Sequence, residues 1–134
     1  MVDPGGGPFV FNIEDATMAN TNFRTAAWTG ELLQVTLMNI PVGGDVGLEM
    51  HDDVDQFLRV EGGKAKVYFG DAEGNLRFAG NVQEDRAILV PAGTWHNIVN
   101  DMPNQELKLY SIYGPAEHPQ GTVHETQMDD PHWQ

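Results

Sequence analysis

The chain has no cysteine. Disulfides, thiolate nucleophiles and sulfur-ligated zinc or iron-sulfur centres are therefore excluded, and any bound metal must be held by nitrogen and oxygen. Basic residues are scarce as well: 7 Lys and Arg stand against 20 Asp and Glu, for a formal charge of -13. A surface of that sign repels phosphate backbones and anionic lipid headgroups, which argues against nucleic acid and membranes as partners. It does not choose a substrate, because a bound divalent cation still draws an anionic ligand into an acidic protein. No stretch approaches the roughly 18 consecutive apolar residues of a membrane span. The opening "MVDPGGGPFVFNIED" has neither the basic start nor the apolar centre of a secretory leader, so a cytoplasmic location is expected.

Helical periodicity is also missing. No window longer than "IEDATMAN" repeats apolar residues at helical spacing, which disfavours a doubly wound α/β fold with its long crossover helices. What is present is a series of short β-type segments from Asn22 onward, most bounded by Gly, Pro, Asn or Asp. They are "FRTAAWTG", "ELLQVTLMNIP", "VGLEMH", "QFLRVEGG", "KAKVYFG", "LRFAG", "RAILVPAG", "HNIVN" and "ELKLYSIYG". Eight or nine such strands in a chain of 134 residues predict one all-β domain, a sandwich or barrel. In the second segment Leu33, Val35 and Leu37 fall on one face and Leu32, Thr36 and Met38 partly on the other, as in a strand covered on both sides. "GDAEGN" and "VEGGKA" read as hairpin connections, the first with Gly74 free to take positive φ and the second turning around Gly62 and Gly63.

Three regions result. Residues 1–20 are expected to form a flexible N-terminal segment, with residues 9–13 adding a short edge strand; residues 21–114 form the barrel. Residues 115–134 form a polar, breaker-rich extension that holds three of the five histidines, lies across the barrel or a neighbouring subunit, and ends in a loose "DDPHWQ".

The stretch "EMHDDVDQ" concentrates groups able to bind a cation. Glu49 and His51 are two apart on an expected strand, so both side chains leave the same face while Leu48 and Met50 leave the other. In the next strand Gln56, Leu58 and Val60 form the more apolar face, which turns the Gln56 amide toward the barrel interior and leaves Asp55, Phe57, Arg59 and Glu61 outside. Asp55 stays open as the alternative to Gln56, since a carboxylate is the better cation ligand. The fourth candidate is His96 in "VPAGTWHNIVN", where Pro91 and Gly93 turn the chain into a new strand.

"PAGTWHNIVN" matches the second cupin motif, P-x-G-x-x-H-x-x-x-N, from Pro91 through Asn100, with Asp85 standing at the motif's leading glycine. "GGDVGLEMHDDVDQFLRVEGG" resembles the first motif in degenerate form: Gly43 leads, Glu49 replaces the first histidine, and His51 keeps the second. Asp55 or Gln56 stands at the glutamate position, and Gly62 or Gly63 closes the motif. Most of the span from Thr21 to Gly114 is thus similar to small single-domain cupins of the RmlC-like superfamily. The resemblance implies an antiparallel jelly-roll barrel, a double-stranded β-helix, with one divalent metal inside it. His51 and His96 occupy family ligand positions, and Glu49 and Gln56 altered ones. Two imidazoles with a carboxylate and an amide suit Zn, Ni, Mn or Fe. The family also implies a homodimer.

Around this set, Tyr113 ends the last strand and is followed by "GPAEHPQGTVH", which makes His118 and His124 candidate acid-base or substrate groups together with Tyr113. Arg59 is expected to pair with an acid outside the barrel, and Trp28 and Trp95 to fill the core or line a cavity mouth. Three functions compete. The first is a metal-dependent enzyme that isomerises, enolises or eliminates from a small oxygen-rich metabolite, a sugar or carboxylate. The others are an oxygen-dependent iron dioxygenase and a non-enzymatic binding cupin with structural metal or none.

Overall fold

The computed structural model describes residues 1–131. The last three residues of the expected extension, His132 among them, lie outside the described residues. The period-two pattern produces nine strands in the described residues, here β1 (Arg24–Thr29), β2 (Gln34–Ile40), β3 (Asp55–Gly62), β4 (Lys64–Gly70), β5 (Leu76–Gln83), β6 (Ala87–Val90), β7 (Trp95–Asn100), β8 (Leu107–Gly114) and β9 (Val123–His124). They form a six-stranded sheet in the order β6-β3-β8-β2-β1-β9 and a three-stranded sheet in the order β5-β4-β7. All the pairings are antiparallel, and the two sheets enclose a jelly-roll barrel.

Alternation along each strand decides what fills the barrel. Met38 and Ile40 of β2, Leu58 and Val60 of β3, and Leu107 and Leu109 of β8 meet Ala65 and Val67 of β4 and Ile98 of β7 in one buried cluster. Toward the other end of β2, β3 and β8 the inward positions are polar. Gln34 and Thr36 stand across from Tyr113 and Ser111, and Gln56 stands across from Tyr113 on the other side of β8. All five are buried. The interior is thus apolar at one end and polar at the other, and the polar end carries the chemistry.

Every residue of β2 is buried, because its second face carries Val35 and Leu37 into a cluster with Ala27 and Tyr110 on the outside of the sheet. The lid on that face is the N-terminal segment. The expected edge strand over residues 9–13 does not form; Ile13 instead opens helix α1 (Ile13–Ala19). Asn12 caps it by accepting from the Asp15 amide at 3.0 Å, and Phe11, Ile13 and Ala16 pack onto the outer cluster. The segment before the helix is likewise tied down. Asp3 accepts from the amides of Gly5, Thr29 and Gly121 and from the Thr29 hydroxyl, joining the N-terminus, β1 and the C-terminal extension.

The extension crosses its own barrel. β9 pairs with β1, and the 3-10 turn Gln127–Asp129 brings Gln127 to Asp45 and Asp130 to Arg24. The connection after β4 turns as expected, with Asn75 donating to the Ala72 carbonyl at 3.1 Å, but Gly74 does not take a positive φ. Gly63 does, at 89°, between β3 and β4. Among the described residues, no helix is long and apolar enough to cross a membrane.

Candidate metal centre

The stretch "VGLEMH" is not the regular strand its alternation predicts. Gly47 sits at φ 104° and interrupts the pairing, so in place of a continuous ladder with β7 there are two isolated bridges, Asp45 with Val99 and Glu49 with His96. The second bridge builds the site. Glu49 donates its amide to the His96 carbonyl at 3.0 Å and accepts from the His96 amide at 2.9 Å, while Gly93, at φ 85° in the turn before β7, donates to the His51 carbonyl at 2.7 Å. Backbone bonds thereby fix Glu49, His51 and His96 relative to one another.

Their side chains converge. Glu49 Oε1 lies 3.2 Å from His96 Nε2 and 3.4 Å from His51 Nε2, and one ligand atom from each of the three residues falls within 4.8 Å of the others. On the far side of each ring Nδ1 faces an acceptor, Glu117 Oε1 at 3.1 Å from His51 and the Thr94 carbonyl at 3.0 Å from His96. A carbonyl or carboxylate oxygen only accepts, so a ring that keeps its hydrogen on Nδ1 frees the Nε2 lone pair for a cation at the centre. Two lone pairs and a carboxylate oxygen then face one another, an arrangement that repels unless a proton or a cation sits between them.

Charge at the site follows from this geometry. Burial disfavours the His51 imidazolium, yet the carboxylates of Glu49 and Glu117 on its two sides outweigh it and raise the pKa. Burial likewise opposes ionisation of Glu49, but the facing imidazoles of His51 and His96 hold its carboxyl far below the usual range. The donor set fits a borderline divalent cation. His51 Nε2 and Gln56 Oε1 are buried without hydrogen-bond partners among the described residues, and oriented imidazoles backed by oxygen acceptors are how proteins hold such ions.

Gln56 is buried across from Tyr113, and its Nε2 donates to Ser111 Oγ at 2.8 Å, which orients the amide and leaves Oε1 unpaired. Asp55 is exposed, and its Oδ1 accepts from the Ala92 amide at 2.9 Å. It therefore holds the turn after β6 and is not brought to the centre.

Tyr113 is fully buried, with its ring edge-on to His51 at 5.7 Å and to His118 at 5.3 Å. Its Oη is 3.4 Å from His118 Nε2. Burial pushes the phenol pKa up, and burial together with the nearby Arg24 cation pushes His118 down to about 3, so both groups are neutral near pH 7. His124 stands one step further out. Its ring lies 6.2 Å from that of His118, and its Nδ1 accepts from Arg24 Nη1 at 3.1 Å.

Three contributors escaped the sequence reading. Arg24 is wholly buried on β1, Glu117 backs His51, and Gln34 holds the backbone of His118. The signal for Arg24 was its parity with Ala26 in "FRTAAWTG", which turns a guanidinium toward the interior. Arg59, by contrast, pairs outside the barrel with Glu61 at 3.3 Å and Asp85 at 2.7 Å, as its strand face predicts. Trp95 lines a cleft of about 480 Å³ that reaches Glu49, Asp45, Gln127 and Asp130. Trp28 packs in the outer cluster and donates its indole N-H to the Gly7 carbonyl at 2.8 Å.

A small jelly roll with a cluster of two imidazoles and a carboxylate at its polar end defines a class of barrel proteins. The cupin domain family matches residues 36–113, and the chain belongs to that family. It is 57% identical over 127 residues to the uncharacterized protein YrkC of Bacillus subtilis (strain 168), an alignment covering 95% of this chain and 68% of YrkC. The crystal structure of BH2720 from Bacillus halodurans superposes with a TM-score of 0.93 at 57% identity, covering 96% of this chain and 97% of that one. Oxalate decarboxylase of Bacillus subtilis, solved in a study of its Mn(II) centres, shares the fold at 18% identity and a TM-score of 0.57, over 71% of this chain and 24% of that one.

Proposed function

We propose that the chain is a metal-dependent cupin enzyme acting on a small oxygen-rich metabolite, a sugar or carboxylate, by isomerisation, enolisation or elimination. The observation that carries this reading is the convergence of Glu49 Oε1, His51 Nε2 and His96 Nε2 beside the buried Tyr113–His118 pair. Glu49, His51 and His96, with Gln56 as fourth donor, would hold one divalent ion drawn from Zn, Ni, Mn and Fe. The Mn(II) centres of oxalate decarboxylase keep manganese in that set. When bound, such an ion supplies Lewis-acid polarisation of substrate oxygens.

The chain's own groups supply the rest. Tyr113 is a neutral phenol at working pH, and His118 Nε2 is placed to orient its hydrogen. In this reading the phenol donates to a substrate oxygen that gains negative charge in the reaction, an interaction that strengthens with the charge. The apolar end of the barrel closes the site from behind and limits water to the cleft side. The same proposal includes a homodimer: β6 is an outer strand of the larger sheet and carries the exposed Leu89.

The test is elemental analysis of protein purified without tag or chelator, with His51→Ala alongside. Stoichiometric metal in the wild type and its loss from the variant are expected. Negligible metal in both, persisting after reconstitution, overturns the reading. The triad's two-histidine, one-carboxylate composition favours oxygen-dependent cleavage as a second reading, which iron as the resident metal together with oxygen consumption would select.

A further inference from the structure

Arg24 and Thr36 hold buried polar atoms that the metal centre does not use. The Arg24 side chain has no exposed surface. Among the described residues only Nη1 makes hydrogen bonds, donating to Asp130 Oδ2 at 2.8 Å and to His124 Nδ1 at 3.1 Å, while Cζ lies 5.2 Å from the centroid of the Phe23 ring. Nε and Nη2 are buried with no hydrogen-bond partner among the described residues, and so is Thr36 Oγ1. Nε-H and Nη2-H point the same way from one edge of the planar guanidinium, so the free donors form a complete fork, the shape that grips a carboxylate through two parallel hydrogen bonds.

The register places the two residues together. Arg24 pairs with Met38 and Ala26 with Thr36, so Arg24 and Thr36 are diagonal neighbours on the inner face of β1 and β2. Packing does not explain a fork left open. A buried guanidinium with two unsatisfied donors is a worse filler than an aliphatic side chain of its size, because the desolvated donors gain nothing in return. The cleft lined by Glu49 also reaches Asp130, which accepts from Arg24, so it abuts both the metal centre and the residue that pairs with the guanidinium. The carboxylates of Glu49, Glu117 and Asp130 around this region favour an anion of low charge over a phosphate dianion.

We propose that Arg24 is the substrate-recognising residue of the site and that the substrate is a small carboxylic acid, its carboxylate held by Nε and Nη2 of Arg24 with a further hydrogen bond from Thr36 Oγ1. The inference rests on the cleft being the substrate site of the metal-dependent enzyme proposed above, and it narrows that enzyme's substrate to the carboxylate class.

Isothermal titration of untagged, metal-replete protein with the monoanions glycolate, lactate and pyruvate, and with neutral malonamide, tests it. At least one carboxylate binds, malonamide does not, and Arg24→Lys, which keeps the charge and removes the fork, weakens binding by about tenfold or more with metal content unchanged. Thr36→Val, with no charge removed and the barrel volume kept, weakens it severalfold and carries the test should the Arg24 variant fold poorly. Failure of all three carboxylates to bind the wild type, or full binding by Arg24→Lys, overturns the inference. The two readings fail separately. Protein that holds no metal yet binds a carboxylate through Arg24 sinks the metal-dependent enzyme alone, whereas retained metal with binding indifferent to Arg24→Lys sinks the carboxylate fork alone.

Discussion

Gln34 Oε1 accepts from the His118 amide at 2.9 Å and Gln34 Nε2 donates to the His118 carbonyl at 2.7 Å, so one buried side-chain amide pairs with both polar groups of a single backbone residue. The same Oε1 also accepts from the Glu117 amide at 3.1 Å. Gln34 thus fastens the C-terminal extension to the barrel at the point where Glu117 reaches His51 and His118 reaches Tyr113.

Gln34→Leu leaves those three backbone groups without their partner. A stability loss of about 1–3 kcal/mol is expected for the buried groups so exposed to unmet desolvation, measured by urea unfolding of metal-free protein. Metal affinity falls as well, because the Glu117 contact to His51 is no longer held in place.

Glu117→Ala separates the two effects. The carboxylate is partly exposed and lies 3.1 Å from His51 Nδ1, so its loss changes the stability of metal-free protein by no more than about 1 kcal/mol. Removing the acceptor that fixes the His51 ring weakens metal binding by about 10–100-fold. Competition titration against a chromophoric chelator reads the affinity, and an unchanged affinity contradicts the role given to Glu117.

Asp3 makes the fold sensitive to acid. Burial raises its pKa, but hydrogen bonds from the Thr29 side chain and the amides of Gly5, Gly121 and Thr29 outweigh it and bring the pKa below the ordinary 3.8. A group depressed in the folded state contributes stability that is present above its unfolded pKa and lost as pH falls through the folded one. The stability difference between wild type and Asp3→Ala, about 1–3 kcal/mol near neutrality, is therefore expected to hold down to about pH 4 and then shrink, as followed by denaturant unfolding across that range.

His118 stays neutral from about pH 5 to 8, because burial and then the Arg24 cation push its pKa down to about 3. Nitrogen chemical shifts of its ring are expected to show no titration in that window. A midpoint near the ordinary 6.5 would mean that the ring is solvated rather than packed between Tyr113 and His124.

Gly63→Ala tests the turn between β3 and β4. The residue has φ 89°, and an added Cβ would stand 2.8 Å from the Glu106 carbonyl oxygen. A loss of more than about 1 kcal/mol is expected from the backbone conformation and the clash together, read as a lower midpoint in thermal unfolding.

Where period-two alternation operates over a whole strand, the sequence predicts the structure well. The inward set Gln56, Leu58 and Val60 is buried, and Arg59 on the opposite face finds its acids outside. Residues 91–100 likewise turn at Gly93 and deliver a buried His96. Helix α1 is a different case. Seven residues carry too little periodicity to declare a helix, and this one is held by its Asn12 cap and by the packing of Ile13 and Ala16 on the outer cluster.

Local pattern and turn chemistry by themselves determined the all-β architecture, the inward faces of the strands, and Glu49, His51 and Gln56 or Asp55 as candidate ligands, because each depends on residues close together in the chain; the resemblance to the second cupin motif added His96. Tertiary structure alone decided that Asp55 holds a turn, that Glu117 backs His51, and that Arg24 lies buried against His124 and Asp130, residues 100 and 106 positions away. No local spacing encodes those meetings. They arise when the extension folds back over the barrel and brings charged side chains out of water, where only the partners found there balance them.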